Sequence, residues 1–238
     1  MEIELFYNEP FLKYGIKKYV TCNLEKSPHI IIFGNTGSGK TYATKLVLAR
    51  ISKKIMDSQF HVADYKGDSD FDTLRGMERF YRYSECEHAL DDFYLMFQKR
   101  MSGEDSSRNF RMLYFDEWTA YLLSLDKKKA EEEKKRLGAI LCMGRSYNVH
   151  IFQSMQRCDS SQFSAGSRDQ YNVVIALGNL STEGKDMMFR EYKDKMKSDR
   201  KQGMGYMTMN NMDFIPIQVP TISNMELVNK YIKDAVCR

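Results

Sequence analysis

Short apolar runs alternate along this chain with stretches in which apolar residues recur at helical spacing. The runs predict strands at 29–33, 59–64, 80–83, 111–116, 149–152 and 171–177. The periodic stretches predict helices at 42–54 and 89–101. Alternation of this kind is typical of a mostly parallel central sheet flanked by crossover helices, so an α/β fold is predicted.

The C-terminal part of the chain has a different pattern. Two runs, 203–209 and 214–219, predict a closing β-hairpin, and 224–236 predicts a terminal helix. No repeat or low-complexity linker divides the chain of 238 residues, which is long enough for one domain with a substantial core. The short segment 1–27 is treated as an N-terminal extension of a domain at 28–238.

Residues 127–136 carry basic and acidic side chains offset by about one helical turn. A solvated helix face is the favoured interpretation, and a DNA-binding patch is the alternative. A net charge of +4 permits contact with nucleic acid without requiring it.

Composition limits the cellular context. The hydrophobic content of 42% and the charged content of 29% are ordinary for a globular domain. No apolar run reaches the ~20 residues that span a bilayer, so direct membrane insertion is not expected. The five cysteines form no C-x-x-C pair, which argues against a zinc site and favours reduced thiols in the cytoplasm.

The octapeptide GNTGSGKT (34–41) is the strongest chemical signal in the sequence. It fits G-x-x-x-x-G-K-[ST] and stands between a predicted strand and a predicted helix. In that context, backbone N–H groups and the helix dipole bind phosphate oxygens. The alternative, a plain glycine-serine turn, does not explain the Lys-Thr pair. The predicted nucleotide-binding residues are Gly34, Asn35, Thr36, Gly37, Ser38, Gly39, Lys40, Thr41 and Tyr42.

Within this loop, Lys40 is expected to contact the β- and γ-phosphates, and the Thr41 hydroxyl to bind Mg²⁺. A second part of the site is predicted at Asp116 and Glu117, which end the apolar run 113–115. Strand carboxyl ends face the ligand in such sheets. Asp116 is expected to hold the Mg²⁺ and Glu117 to polarise the attacking water. The alternative is that the two acids only begin a helix.

The order of four motifs resembles the FtsK/SpoIIIE and HerA group of ring-forming DNA pumps. The motifs are GNTGSGKT, HVADYKGDSDF (61–71), LYFDEW (113–118) and GRSYNVHIFQSMQR (144–157), followed by the glycine-rich GMGYM (203–207). The family has threonine where this chain has Met155. The resemblance covers most of 28–220.

The resemblance implies a RecA-like P-loop NTPase that uses ATP and Mg²⁺ and assembles as a hexameric ring around double-stranded DNA. Each nucleotide site would lie at a subunit boundary. By position in the motifs, Arg145 is the first candidate for an arginine finger, Arg157 the second and Arg168 the third. Gln156 matches a polar residue near the γ-phosphate. An ordinary surface salt bridge is the alternative role for each arginine.

The membrane spans, long linker and winged-helix module of larger family members are not visible, so the chain resembles a minimal motor core of the kind encoded by plasmids and mobile elements. A membrane-anchored or DNA-recruiting partner is therefore expected. Segments 66–75 and 157–168 are candidate pore loops or ordinary surface loops. Alternatives to DNA translocation are a coupling ATPase of a conjugation or secretion machine, an assembly subunit switched by nucleotide, and a small-molecule kinase.

Overall fold

The structure, a computed structural model, describes residues 2–238 and contains one ten-stranded sheet. The strand order is β2-β1-β10-β9-β8-β3-β7-β6-β4-β5. The strands are β1 (Glu2–Asn8), β2 (Tyr19–Asn23), β3 (Ile30–Phe33), β4 (Gln59–Asp64), β5 (Phe80–Arg82), β6 (Arg111–Asp116), β7 (Val149–Met155), β8 (Val173–Leu177), β9 (Met204–Met209) and β10 (Asp213–Gln218).

Five of the nine strand pairings are parallel, and these join β8, β3, β7, β6, β4 and β5. The other four are antiparallel and add β9, β10, β1 and β2. The predicted α/β class, the mostly parallel sheet and the C-terminal β-hairpin, formed by β9 and β10, are therefore confirmed. The N-terminal segment supplies two strands of this same sheet, which the sequence patterns did not indicate.

Helices cover both faces of the parallel strands. They are α1 (Glu9–Leu12), α2 (Lys40–Lys54), α3 (Cys86–Ser102), α4 (Trp118–Ser124), α5 (Lys127–Met143), α6 (Thr182–Met188) and α7 (Met225–Cys237). Side chains alternate across a strand, so Ile30 and Ile32 pack in one core while Ile31 and Phe33 pack in the other. Helices α2 and α7 cover the first core, and α3, α4 and α5 cover the second. No helix within residues 2–238 is both long and apolar enough to cross a bilayer.

The charged run 127–136 forms the first part of α5, and several of its side chains pair with acids. Glu133 is fully buried and forms ion pairs with Lys129 at 3.3 Å and with Arg136 at 3.2 Å. Arg136 also contacts Asp91 on α3. Much of this charge therefore joins two helices of the fold, whereas Lys127 and Lys128 remain exposed.

Three histidines lie inside the protein, and burial lowers the pKa of His29, His61 and His150 to about 3. Nearby charges lower these pKa values further. The charge of His150 acts on His29, the charges of Arg79 and Arg111 act on His61, and the charge of Arg100 acts on His150. The folded protein therefore keeps all three rings neutral at a pH where an unfolded chain, with histidine pKa values of ~6.5, is protonated.

The free energy of unfolding is expected to fall as the pH drops from 7 to 5, because the unfolded chain then binds protons that the folded chain does not. Each buried histidine contributes about 1.4 kcal/mol per pH unit below pH ~6.5. Burial raises the pKa of Asp116 to about 6. It also raises the pKa of Asp64, Glu117 and Glu133, so these carboxyls oppose the trend. The measurement is urea unfolding across this pH range.

The variant His61→Phe tests the contribution of one of these histidines to the pH dependence of the free energy of unfolding. The ring lies edge-on to Phe93 at 5.2 Å, and its Nδ1 is buried without a hydrogen-bond partner, so phenylalanine fits the site. The pH slope of this variant should be smaller by about 1.4 kcal/mol per unit. His88→Gln is the control, because His88 is exposed. An unchanged slope in His61→Phe would show that His61 titrates normally in the folded state.

Candidate active site

The segment Gly34 to Gly39 connects β3 to α2 and forms a loop at the carboxyl end of the strand. Two of its glycines are needed for their geometry. Gly39 has φ 94° where α2 begins, a left-handed conformation that side chains disfavour. A Cβ at Gly34 would lie 2.2 Å from the carbonyl oxygen of Leu177 on β8. The loop therefore fits tightly against the end of the neighbouring strand.

Hydrogen bonds to the connection between β8 and β9 hold the loop from its other side. The Gly203 N–H, just before β9, donates to the Ser38 carbonyl at 2.9 Å. The Asn35 Nδ2 donates to the Asn179 carbonyl at 3.1 Å. The β8–β9 connection thus fixes both ends of the loop, and its N–H groups are positioned before any anion binds.

Lys40 is the first residue of α2, and its side chain turns back over the loop. The residue is only 8% exposed, and Nζ donates to the carbonyl oxygen of Gly34 at 2.7 Å. Burial lowers the pKa of Lys40, while the carboxylates of Glu117 and Asp116 oppose that change. A buried ammonium facing two acids is suited to pair with phosphate oxygens.

Asp116 ends β6 and is buried at the same edge of the sheet. The Tyr114 hydroxyl donates to its Oδ1 at 2.7 Å and orients the carboxylate. Burial raises the pKa of Asp116 to about 6, and the charge of Glu117 adds to that effect. A carboxylate that is costly to bury in its charged form is stabilised by a divalent cation.

Glu117 has a left-handed backbone, φ 55°, although it is not glycine. Such a conformation costs about 1–3 kcal/mol and is concentrated at functional sites. The turn lets β6 pass directly into α4, and Trp118 is fully buried, with its Nε1 donating to the Gln162 carbonyl at 3.1 Å. Burial raises the pKa of Glu117, while Lys40 and a hydrogen bond from Gln156 oppose this. The chain thus holds this carboxylate at the site at an energetic cost.

One cleft of about 220 Å³ brings these groups together at the carboxyl edge of the sheet. Most of the residues predicted for the site line this cleft: Thr36, Gly37, Gly39, Lys40, Thr41, Tyr42, Asp116, Glu117 and Gln156. Within residues 2–238, no group of three or more His, Cys, Asp or Glu residues could hold a metal ion alone. The residues do fit Mg²⁺ held by the Thr41 hydroxyl, Asp116 and phosphate oxygens, because Mg²⁺ often needs few protein ligands.

Sequence reasoning assigned Lys66, Asp70 and Gln202 no role in the site, yet all three line this cleft. Lys66 follows the carboxyl end of β4, so the rule that identified Asp116 could also have identified Lys66. Nothing in the sequence indicated Gln202, because its position depends on how the hairpin folds back onto the phosphate loop.

The loop that carries Lys66 is held by a buried ion pair. Asp64 accepts from the Gly67 N–H at 2.9 Å and from the Arg82 Nε at 3.1 Å. Arg82 also lies 3.1 Å from Asp72. In the part of the loop next to the cleft, Lys66 pairs with Asp68 at 2.6 Å. This predicted pore segment therefore begins as a fixed wall of the nucleotide cleft.

The candidate arginines lie in different places. Arg157 is exposed and lines a neighbouring cleft of about 320 Å³ with Asn35 and Gln156. Arg145 precedes β7 and is therefore at the opposite edge of the sheet, where its Nε donates to the Glu25 carbonyl at 3.1 Å. Arg168 is half-buried and pairs with Asp169 at 3.3 Å. Arg157 is thus the only one of these three that lies beside the phosphate loop of the chain.

Together, the parallel strand order, the phosphate loop and the acids at the end of β6 define a P-loop NTPase fold. No family model matches the chain. The sequence is 23% identical over 223 residues to the FtsK domain-containing protein YdcQ of Bacillus subtilis strain 168, and the match covers 87% of this chain. The resemblance to the FtsK/SpoIIIE–HerA group is confirmed. The chain spans about half the length of that relative, 46%.

Solved structures show the same fold. The conjugation coupling protein TcpA of pCW3, a monomer with ATPγS, has a TM-score of 0.70 at 17% identity, over 90% of this chain and 66% of TcpA. ATPases 2 and 3 of EssC from Geobacillus thermodenitrificans have a TM-score of 0.72 at 13% identity, and the match covers 98% of this chain and 47% of the EssC chain. The genome packaging NTPase B204 of Sulfolobus turreted icosahedral virus 2, in complex with AMP, has a TM-score of 0.52 at 16% identity. The match covers 82% of this chain and 98% of B204.

Proposed function

We propose that this protein is an ATP-hydrolysing motor that moves double-stranded DNA through a ring, in the transfer or packaging of plasmid or mobile-element DNA. The observation that carries this proposal is the single cleft in which Lys40, Asp116 and Glu117 face one another. TcpA was solved with ATPγS and B204 with AMP, which supports an adenine nucleotide as the ligand of this cleft. The names of these two proteins support DNA as the substrate.

In this mechanism the phosphate loop and Lys40 bind the β- and γ-phosphates, and Thr41 and Asp116 would hold the Mg²⁺. When bound, the ion would offset charge that develops on the phosphates. Glu117 accepts a proton from the attacking water, and its raised pKa brings it closer to neutral pH, where a base is most effective. Gln156, hydrogen-bonded to Glu117, orients that water or contacts the γ-phosphate.

We further propose that the working form is a cytoplasmic homo-oligomer, a ring of six subunits in which each nucleotide site is completed across a subunit boundary. 

Arg145 is exposed on the surface of the subunit, which a residue acting on a neighbour's nucleotide requires. A membrane-anchored or DNA-recruiting partner protein would bring the motor to its DNA.

A second candidate function is that of a coupling ATPase in a conjugation or secretion machine. The similarity to the coupling protein TcpA favours it. Such a protein would use the same nucleotide cleft, so the two functions differ in the substrate that stimulates hydrolysis.

The test is ATP hydrolysis by the purified protein with and without duplex DNA. Under the proposed function, duplex DNA of any sequence stimulates turnover, and the stimulation falls steeply with added salt because phosphate contacts release counterions. Single-stranded DNA at the same nucleotide concentration is the comparison. If duplex DNA at low salt left the rate of ATP hydrolysis unchanged in a sample shown to form rings, DNA translocation would be excluded and the coupling function favoured.

A mixing experiment separates the two leading arginines. Arg145→Ala combined with Lys40→Ala should recover part of the activity, because a mixed boundary pairs an intact phosphate loop with an intact finger. Arg157→Ala combined with Lys40→Ala should recover none if Arg157 serves its own subunit, as its place beside Asn35 favours. Subunit exchange is checked by fluorescence transfer between labelled variants. If activity returned in the mixture of Arg157→Ala with Lys40→Ala and not in the mixture of Arg145→Ala with Lys40→Ala, Arg157 would be the arginine finger instead of Arg145.

A further inference from the structure

Three neighbouring strands bring two arginines and a histidine to one face of the sheet, near its amino edge. The Val62 N–H donates to the carbonyl of Arg79 at 2.9 Å, so His61 on β4 lies beside Arg79, the residue before β5. Gln59 pairs with Arg111 on β6. Because alternate residues share a face, Arg79, His61 and Arg111 all lie on the side covered by α3.

The donor groups of this cluster lack partners. In Arg79, Nε and Nη2 are buried without a hydrogen bond, and the same holds for Nε of Arg111 and Nδ1 of His61. His61 is only 7% exposed. Across residues 2–238, neither arginine forms an ion pair with an acid. Buried guanidinium groups without partners are costly.

Other arginines nearby are satisfied by the chain itself. Arg100, at the end of α3, donates to Asp105 at 3.2 Å, to the Tyr147 carbonyl at 2.7 Å and to Ser107 at 3.1 Å. That pairing occupies Asp105, the one acid whose charge acts on Arg111. The fold thus provides an internal partner for the arginine next to the cluster and none for Arg79 or Arg111.

We propose that Arg79 and Arg111 form a binding site for a phosphate group, with His61 as an additional donor. Both arginines are half-buried, so each can present one part of its guanidinium to solvent while the rest is enclosed. Two planar forks suit the several oxygens of a phosphate better than one carboxylate. The site lies at the other end of β4 from Asp64 and is therefore separate from the nucleotide cleft.

The charges around the cluster favour an anion. Arg79 and Arg111 both act on His61, whose pKa burial lowers to about 3, so the ring is neutral and donates through only one nitrogen. Arg100 and Arg79 also lower the pKa of Arg111, after burial itself. An anion between the two arginines would offset this repulsion. The phosphate could be free in solution or part of a DNA backbone.

The experiment follows the imidazole signals of His61 by NMR while sodium phosphate is added, with sodium chloride at equal ionic strength as the reference. It uses the Lys40→Ala protein, so that phosphate bound at the nucleotide loop does not contribute. The proposal predicts a saturable shift of the His61 signals with phosphate and none with chloride. No saturable shift with either phosphate or duplex DNA would overturn it, whether or not the protein hydrolyses ATP.

Two variants assign the effect to the arginines. Arg79→Gln and Arg111→Gln, each in the Lys40→Ala protein, should weaken phosphate binding at least about tenfold, the usual cost of losing a hydrogen bond to a charged group. Arg108→Gln is the matched control, since Arg108 is exposed and carries the same charge. Equal weakening by Arg108→Gln would mean a general charge effect and would overturn the proposal. Should a glutamine variant not fold, Arg111→Lys keeps the charge but loses the fork, and should still weaken binding.

Short duplex DNA is the second arm of the titration. A shift of the His61 signals at a lower concentration of phosphate groups than inorganic phosphate requires identifies the DNA backbone as the source. A shift with inorganic phosphate only identifies a free phosphate. Both results support the site and differ in the ligand that it takes.

Discussion

Glu117→Gln is expected to retain the binding of ATP and Mg²⁺ and to slow hydrolysis by a factor on the order of 10²–10⁴, the usual worth of a positioned base. Glutamine is nearly isosteric with glutamate, so it can occupy the left-handed position, φ 55°, in the same way. The amide keeps the contact with Gln156 available but cannot accept the proton of the attacking water. Binding and chemistry should therefore separate in this variant.

The measurement combines the rate of phosphate release with a binding titration of a fluorescent ATP analogue. Glu132→Gln is the control, because Glu132 is exposed on α5 and its loss makes the same change in charge. If Glu117→Gln bound nucleotide and hydrolysed it at the wild-type rate, a different group would be the base.

Lys40→Ala is expected to reduce turnover to background and to weaken nucleotide binding about 10- to 100-fold, in line with hydrogen bonds between charged groups. Without the ammonium, the charges of the β- and γ-phosphates face Asp116 and Glu117 with no opposing charge from α2. The loop should keep its shape, because its bonds to Gly203 and Asn179 are made by other residues.

The same two assays measure this variant, with Lys128→Ala as the control, since Lys128 is an exposed lysine on α5. Wild-type turnover by Lys40→Ala, in a preparation free of other ATPases, would contradict the assignment of the phosphate loop. The contrast with Glu117→Gln is informative, because only Lys40→Ala should lose binding as well as hydrolysis.

The parallel part of the fold could be predicted from the sequence because each of its strands contains a short, mainly apolar run between loops. The prediction at 59–64 coincides with β4 (Gln59–Asp64), and the prediction at 111–116 coincides with β6 (Arg111–Asp116). Strand β7 extends beyond its predicted end at 152, because Gln153 and Ser154 are polar yet fully buried. A pattern of hydrophobicity cannot indicate polar residues that the core accommodates.

The candidate site was predictable where its residues are adjacent in sequence. The phosphate loop and the acid pair each form a short contiguous motif, and the structure brings them into one cleft. Gln202 was not predictable, since its approach to the loop depends on pairing between β8 and β9. The position of Arg145 at the far edge of the sheet follows from its place before β7, whereas the geometry of the proposed ring is not encoded in any local pattern.

The N-terminal segment was the least predictable part of the fold. Strand β1 pairs with β10 at only two positions, Tyr7 with Gln218 and Asn8 with Ile217. The segment is also held by burial, as Leu5 and Phe6 are completely enclosed, and by an ion pair between Glu9, which follows β1, and Arg200. These contacts join residues far apart in the chain, so no local periodicity indicates them.

The pairing of β1 with β10 has a consequence for any shortened form of the protein. Without residues 1–27, β10 would become the last strand of the sheet, and its unpaired backbone groups would face water. Exposed edges of this kind pair with other chains and promote aggregation. In the full chain β1 covers this edge, and β2, a strand of five residues, is the last strand instead. A version starting at residue 28 would expose β10 and the apolar core that Leu5 and Phe6 fill, so it should precipitate more readily than the full chain.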